Sequence, residues 1–320
     1  MIRTIAAALA FAGALAATCA WPQGRITRLV VAFPPGGPVD LVARTISEQL
    51  GKELNQHVLV DNKSGGNGAI AAQSVAQSAP DGTTIWLSSV GAVAINPVLY
   101  PKLAYDMQRD FAPVSRVVDN DEILVVSSNN PARDAAQFVA NAKKSASPVS
   151  IASTGIGSMP HLAMEQLAES TATDFLHVPY KGAAPAITDL VGGQVSAFFG
   201  DVPGLIGHVK GGRLRAIGIA APKRHPLLPD VQTLSEQGLP SVDTNNWYAL
   251  FAPAQTPPGV INAINEAVRR TLATPAVAEK LLASGAVPSP SSPQELAALL
   301  RRDTEKWRKL INTRKITPEG

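Results

Sequence analysis

The chain has a single cysteine, few aromatic residues and almost no net charge, and these shortages exclude several classes of protein. Cys19 is the only cysteine among 320 residues. Disulfides therefore cannot support the fold, and a hydrophobic core must stabilise it, which a chain of this length can supply. Basic and acidic residues number 28 and 25, and the basic clusters are not interleaved with aromatics. This balance argues against nucleic acid as a partner.

Metal-ligand and catalytic patterns are also missing from the sequence. No two of the five histidines have zinc-site spacing, and the closest acidic group, residues 119–122, lies in a segment that we interpret as a hinge. Ser158 is flanked as Gly-Ser-Met-Pro rather than as a nucleophile elbow. We therefore expect no metal, no cofactor and no enzymatic activity. A periplasmic hydrolase of unusual arrangement is the alternative from the enzyme class.

The N-terminus has the form of a secretory signal peptide, residues 1–20. Arg3 precedes an apolar run, 5–17, and a small-x-small cleavage rule places the cut after Ala20. Lipidation of Cys19 is the alternative, which the preceding threonine disfavours. No later apolar run reaches 18 residues, the length that a membrane helix needs. We expect an exported protein that resides in the periplasm.

Apolar, β-branched runs alternate with helical patterns, which indicates an α/β fold with mainly parallel sheets flanked by helices. The predicted strands are 28–32, 57–61, 84–88, 123–127, 149–153, 174–178, 195–199, 214–220 and 247–252. The predicted helices are 40–54, 68–78, 132–144, 161–169, 185–192, 235–238, 259–273 and 293–311. Ser292 and Glu295 form a capping-box pattern at the start of the last helix. Ligands in such folds bind beyond the carboxyl ends of the strands.

Two polar segments predict crossings between two domains. Residues 111–128 are too polar at their centre to form one buried strand, and 243–246 precede the strand that leads to the C-terminal helices. We therefore predict that residues 21–122 and 246–320 form domain 1. Residues 123–245 form domain 2, and the ligand cleft lies between the domains.

Two glycine-rich junctions each join a predicted strand to a predicted helix. The first is Phe33-Pro34-Pro35-Gly36-Gly37, with Asp40 in the helix beyond, and the second is Thr154-Gly155-Ile156-Gly157-Ser158, with His161 beyond. Glycine lets a ligand approach the backbone closely, and the first N–H groups of a helix have no intrahelical partner. Both junctions therefore suit an anion. Turning the chain and capping the helices are the alternative roles.

Two further loops and one tryptophan are candidates for the cleft. Tyr180, Lys181 and Gly182 follow one predicted strand, and Asp201 follows another. A solvated loop charge is the alternative for Lys181, and a turn or cap role is the alternative for Asp201. Trp247 follows two asparagines, which favours the cleft over the core as its location.

Seven short segments carry a family resemblance when they are taken in order. They are VAFPPGGPVD (31–40), DNKSGGNG (61–68), APDG (79–82), AINP (94–97), HVPYKG (177–182), DLVGGQV (189–195) and LPDV (228–231). With them, residues 26–311 resemble the substrate-binding proteins of tripartite tricarboxylate transporters, the Bug or TctC-like receptors. The resemblance implies a two-domain periplasmic binding protein of the Venus-flytrap, type II-like kind. It also implies a small carboxylate ligand and delivery to a separate membrane permease.

The resemblance further implies that backbone groups and ordered water hold the ligand carboxylate between the first loop and a helix start of domain 2. The implied positions are Phe33, Pro34, Pro35, Gly36, Gly37, Asp40, Ser88, Ser89, Ala92, Thr154, Gly155, Gly157, Ser158, His161, Tyr180, Lys181, Gly182 and Asp201. Trp247 joins them on the reasoning above. Met159-Pro160 before the histidine and Gly200 before Asp201 depart from the family pattern, which leaves the identity of the ligand open.

These observations combine into one hypothesis. We expect a monomeric receptor that captures a di- or tricarboxylate, an amino acid or an aromatic acid by hinge closure. It would deliver this ligand to the permease subunits of a tripartite tricarboxylate-type transporter. Helix N-termini from the two domains both favour the anion only when the cleft is closed, which couples binding to closure. A carboxylate-sensing partner of a membrane signalling kinase is the alternative.

Overall fold

Two β-sheets, each flanked by helices, form the fold of residues 25–239, 242 and 244–318, which are the residues that the computed structural model describes. The strands are β1 (Ile26–Val31), β2 (His57–Asn62), β3 (Thr84–Ser89), β4 (Phe111–Asp119), β5 (Glu122–Ser127), β6 (Val149–Ser153), β7 (Phe175–Pro179), β8 (Ala197–Asp201), β9 (Leu214–Ile219), β10 (Tyr248–Pro253) and β11 (Val287–Pro288). The α-helices are α1 (Pro38–Leu54), α2 (Ala69–Ala76), α3 (Asn96–Leu99), α4 (Ala135–Lys144), α5 (Met159–Thr171), α6 (Ala183–Val191), α7 (Val202–Lys210), α8 (Pro258–Ala273), α9 (Pro275–Ser284) and α10 (Pro293–Arg314), with a 3-10 helix at Gly66–Gly68 and a π-helix at Gly91–Ile95. The predicted signal peptide, its cleavage site and Cys19 lie outside the described residues, as does Asp243 of the predicted return crossing.

The first sheet has the strand order β11-β4-β10-β3-β1-β2. Both faces of its centre are buried, because Leu29 and Val31 pack with α1 and α8 while Val30 packs with Trp86 and the C-terminal helix α10. Burial on both faces explains why the second half of β1, residues 29–31, is a continuous apolar run rather than an alternating one. Within the described residues, no helix combines the length and the apolar composition that a membrane crossing requires.

The second sheet has the order β7-β6-β8-β5-β9. In both sheets the β-α-β strands pair in parallel, as β1 does with β2 and β3, and β6 with β7 and β8. However, β10 is antiparallel to β3 and β4, and β5 is antiparallel to β8 and β9. The sheets are therefore mixed, not mainly parallel. The reason is topological: β5 and β10 enter their sheets from the cleft, toward which the β-α-β strands run.

The crossings between the two sheets lie side by side. Only Asn120 and Asp121 separate β4 from β5, so the chain passes directly from one sheet into the other. The returning segment pairs with this crossing, since the Asn246 N–H donates to the Asn120 carbonyl at 3.1 Å and Asn120 Nδ2 donates to the Asn246 carbonyl at 2.9 Å. Such a two-strand connection has the geometry of a hinge.

Several elements differ from the sequence prediction. The predicted helix 235–238 is a turn, and residues 111–119 form a full strand, β4. Helices α3, α7 and α9 were not predicted. Gly204 and Gly207 weaken the helical pattern of α7, and α9 begins at Pro275, only two residues after α8 ends.

Candidate functional site

A cavity lies between the two sheets, at the carboxyl ends of β1, β3, β6 and β8. It is a narrow space enclosed by both sheets, which is the position in which two-domain folds hold small molecules. Its lining residues are Phe33, Pro34, Pro35, Gly37, Pro38, Val39, Asn67, Ser89, Thr154, Ser158, Met159, Pro160, Gly182, Ala183, Ala184, Pro185, Asp201, Asn246 and Tyr248. Both sheets and the returning crossing therefore contribute to its wall.

The two sides of the cavity touch each other, so the structure shows a closed cleft. Asn67 Nδ2 donates to the Gly157 carbonyl at 2.7 Å across the opening. A Cβ atom placed on Gly182 would lie 3.2 Å from Cδ of Pro34. The two edges of the cleft, which we call its lips and which carry Pro34 and Asn67 on one side and Gly157 and Gly182 on the other, therefore approach each other closely. Glycine at this position makes that approach possible.

Asp40 holds the first junction in shape. Its Oδ2 accepts hydrogen bonds from the Gly36 N–H and from Arg44 Nε, both at 2.9 Å, and its Oδ1 accepts from Asn62 Nδ2 at 2.9 Å. Burial raises the pKa of Asp40, but the hydrogen bonds from Arg44, Gly36 and Asn62 together outweigh burial and lower the pKa below its usual value. Gly36 has a φ of +81°, so the turn needs glycine there and the carboxylate fixes it.

A pair of neutral histidines supports the second junction from behind. The rings of His161 and His177 stack at a centroid distance of 3.9 Å, and burial lowers their pKa values to about 3 and about 4. His161 Nδ1 accepts a hydrogen bond from the Gly157 N–H at 3.2 Å, and His177 Nε2 lies 2.6 Å from Ser153 Oγ. These contacts orient the loop. The imidazoles therefore position backbone groups and carry no positive charge toward the cavity.

Four helices, α1, α5, α6 and α7, begin at the cavity. Ser158 caps α5, whereas Gly37 and Gly182 at the starts of α1 and α6 supply no side-chain cap among the described residues. The first N–H groups of any helix lack intrahelical partners, and those of α1 and α6 have no side-chain cap either. Each of these helix starts therefore carries a partial positive charge. No lysine, arginine or histidine is among the described lining residues, so these backbone groups are the electropositive part of the wall.

A buried carboxyl group forms the floor of the cavity near the hinge. Asn246 Nδ2 donates to both oxygens of Asp201, at 2.9 and 3.1 Å, and the Tyr248 hydroxyl donates to Oδ2. Glu122 lies opposite Asp201 on the neighbouring strand, and Thr244 Oγ1 donates to it at 3.3 Å. Burial raises the pKa of Asp201 to about 7. Burial, with the charge of Asp201, raises the pKa of Glu122 well above its usual value.

The structure brings about half of the predicted site residues onto the cavity wall. These are Phe33, Pro34, Pro35, Gly37, Ser89, Thr154, Ser158, Gly182 and Asp201. Gly36, Asp40, Gly157 and His161 lie behind the wall and shape it through the hydrogen bonds described above. Gly155, Tyr180 and Lys181 line a neighbouring cavity at the outer side of the cleft, where the Tyr180 hydroxyl donates to Asp189.

Three predicted site residues lie in the core instead. Ser88 and Ala92 are fully buried, and the Ala92 carbonyl accepts a hydrogen bond from the Tyr105 hydroxyl. Trp247 is also fully buried, and its Nε1 donates to Asp303 on α10 at 2.7 Å, so the expectation that it faces the cleft is corrected. Successive side chains of an extended segment point to opposite sides. Tyr248, the next residue, therefore reaches the cavity in its place.

Sequence reasoning missed three polar residues of the wall: Asn67, Asn246 and Tyr248. Asn67 lies in a glycine-rich segment, 65–68, and has a left-handed φ of +49°, but neither feature shows that it reaches across the cleft. Asn246 was assigned to the hinge only. Its position beside Asp201 depends on how the two crossings pair.

The fold and this cavity define a two-domain solute-binding protein. The chain belongs to the tripartite tricarboxylate transporter family receptors (TctC), whose family model matches residues 42–316. This membership confirms the predicted family, and it makes the chain a binding protein rather than an enzyme. Within the described residues, no group of three histidine, cysteine or acidic side chains is placed to hold a metal ion.

Relatives and solved structures agree with this assignment. The chain is 38% identical over 293 residues to the UPF0065 protein in the tcbD-tcbE intergenic region of Pseudomonas sp. (strain P51), covering 91% of this chain and 87% of that protein. Rpa4515 of R. palustris, solved with adipate, matches with a TM-score of 0.89 and 31% identity over 93% of this chain and 99% of that one. MatC (Rpa3494) from Rhodopseudomonas palustris, with bound malate, matches with a TM-score of 0.85 and 32% identity over 90% and 99%. The predicted two-domain α/β binding-protein fold is confirmed.

Proposed function

We propose that this chain captures a small carboxylate in the closed cleft and delivers it to a permease of the tripartite tricarboxylate type. The observation that supports the proposal is the pair of uncapped helix starts, α1 and α6, which face one cavity from opposite sheets. Each helix start stabilises a nearby anion by about 0.3–1 kcal/mol when exposed and by up to about 2 kcal/mol when partly buried. The arrangement suits a small anion, and the malate and adipate in the two neighbouring structures are the support for a carboxylate.

Closure and binding form one event in this proposal. The helix starts approach the ligand from both sides only when the Asn67–Gly157 hydrogen bond and the Pro34–Gly182 contact are made. A ligand that binds the closed form better shifts the population toward it. The narrow space between the closed sides of the cleft limits the ligand to a small molecule.

The cellular part of the proposal rests on the N-terminal sequence and the family. We propose that residues 1–20 direct export and are removed, so that the receptor works as a monomer in the periplasm. Residues 21–122 with 246–320, and residues 123–245, are the proposed limits of the two domains. The crossings between β4 and β5 and before β10 support these limits.

A thermal unfolding series tests the binding function. The protein without residues 1–20 is heated with mono-, di- and tricarboxylates, aromatic acids and amino acids, and with uncharged amides of the same skeletons as controls. A bound carboxylate at a hundred times its dissociation constant adds about 2.7 kcal/mol to the free energy of unfolding, while its amide adds none. If every carboxylate leaves the midpoint unchanged, the proposed function is wrong.

A further inference from the structure

The cavity holds a carboxyl group but no basic side chain, which constrains the part of the ligand that lies near the hinge. Asp201 is the only carboxyl group among the described lining residues, and it is buried. A ligand carboxylate placed beside it would bring two like charges together in a space shielded from water. The ligand's carboxylate therefore belongs at the helix starts, and another group must face Asp201.

The side chains around Asp201 offer hydrogen bonds but no full positive charge, and the start of α7, which Asp201 precedes, supplies only a partial one. Asn246 and Tyr248 donate to it as neutral groups, from the returning crossing and from β10. Glu122 faces it from β5, with Thr244 beyond, and adds a second acid rather than a cation. Within the described residues no lysine, arginine or histidine forms an ion pair with Asp201. A buried carboxylate in this situation needs either a proton or a cation from elsewhere.

We infer that Asp201 is a specificity-determining residue that selects carboxylates carrying an ammonium group, which pairs with its carboxylate at the floor of the cavity. The inference rests on the proposed function and narrows its ligand to amino-acid-like molecules. The ligand's own carboxylate lies at the starts of α1 and α6, and its ammonium group supplies the charge that the protein omits. The ammonium group needs a free acceptor. An ionised carboxylate has about four lone-pair sites, and the donors named above occupy three of them.

A proton accompanies this recognition. Burial raises the pKa of Asp201 to about 7, so at pH 6 the ligand-free cavity holds a proton there. A ligand ammonium beside Asp201 lowers that pKa, and binding then releases the proton. The affinity for an amino ligand therefore falls as the pH drops below 7. The affinity for a plain carboxylate rises over the same range, because the neutral acid no longer repels it.

Matched pairs of ligands that differ only in the ammonium group test the inference by calorimetry. The pairs are succinate and aspartate, glutarate and glutamate, and 3-phenylpropionate and phenylalanine. In the pair that fits the cavity, we expect the amino member to bind about 10- to 100-fold more tightly, as for a hydrogen bond to a charged group. Titrations in two buffers of different ionisation enthalpy should show release of up to one proton at pH 6 and almost none at pH 8, where Asp201 is already ionised and the ligand still carries its ammonium proton.

Two variants locate the effect. Asp201→Asn should lower the amino preference by about tenfold or more and abolish proton release. Asp174→Asn, the same substitution at an exposed aspartate outside the cavity wall, should leave the preference and the proton release unchanged. Proton release by the unaltered protein does not depend on how well Asp201→Asn folds, so it tests the inference even if that variant fails.

The outcomes separate this inference from the proposed function. If plain carboxylates bind as tightly as their amino partners, or if binding releases no proton at pH 6, the role of Asp201 is refuted while the carboxylate receptor stands. A preference for malate over both succinate and aspartate also refutes it, because a neutral donor then suffices. If neither member of any pair binds, the proposed function fails together with the inference.

Discussion

Alanine at Gly182 should weaken ligand binding by blocking closure of the cleft. Gly182 precedes α6 with φ +125° and ψ 177°, a conformation that only glycine adopts readily, and a Cβ there would lie 3.2 and 3.3 Å from two ring carbons of Pro34. The favourable separation of carbon atoms is about 3.5–4.0 Å. The lips must therefore move apart, or the Pro34 loop must shift, before the closed form is reached.

The magnitude follows from two separate costs. The backbone conformation costs about 1–3 kcal/mol in stability whether the cleft is open or closed. The contact with Pro34 exists only in the closed form, and overpacking of this kind costs about 1–3 kcal/mol, which corresponds to about 5- to 150-fold in affinity. Gly182→Ala should therefore lose both stability and affinity.

Gly193→Ala is the matched control, because Gly193 lies beyond the other end of the same helix with a φ of +76° and nothing within 4 Å of its Cβ position. It should lose stability by a similar amount and keep its affinity. Urea unfolding measures the first quantity, and calorimetric titration with the carboxylate that binds the unaltered protein measures the second. Equal affinities for Gly182→Ala and the unaltered protein would refute the closure argument.

Three further predictions concern stability. Since the folded pKa values of His161 and His177, about 3 and about 4, lie below the ordinary 6.5, the unfolded chain binds more protons in acid. Urea titrations should show stability falling from pH 6.5 toward pH 4 by up to about 1.4 kcal/mol per pH unit for each histidine, and a flat profile would contradict the buried stack. The raised pKa of Glu122 has the opposite effect, because it lowers stability as the pH rises. Glu122→Gln should therefore be more stable than the unaltered protein at pH 8 and lose that advantage at pH 4. A stability difference that does not change with pH would argue against a buried acid. Trp247→Phe leaves buried Asp303 without its indole donor, so it should lower the free energy of unfolding in urea by about 1–3 kcal/mol. Ligand affinity should change little. A large loss of affinity would instead indicate that Trp247 contacts the ligand in the cleft.

The sequence predicts the parts of the fold that local patterns encode. The predicted strand 28–32 and the amphipathic run 40–54 correspond to β1 and α1, and the capping box of Ser292 and Glu295 is present at the start of α10. Local patterns do not predict strand direction, because direction depends on the side from which the chain enters a sheet. The polar centre of 111–128 predicts a crossing, but it does not show that β5 then runs against its neighbours.

The candidate site divides in the same way. The first junction is predictable because the contacts that shape it are close in sequence, as Asp40 and Gly36 show. Asn67 was missed because its partner, Gly157, is 90 residues away on the other lip. No local pattern reports such a distance. Trp247 was misplaced because one step along an extended segment decides which of two neighbouring aromatic residues faces the cavity.

Local and distant contacts also have different roles in ligand recognition: the first bind the carboxylate, and the second select among carboxylates. Backbone N–H groups at a helix start hold any carboxylate, since every residue type except proline supplies the same donor. Selectivity among carboxylates has to come from side chains. The acidic side chain of the described wall is Asp201, and it lies at the hinge with its donors Asn246 and Tyr248. A ligand group that pairs with Asp201 is therefore linked through Asn246 to the crossing between the domains. Selection of the ligand and closure around it consequently depend on the same few hydrogen bonds.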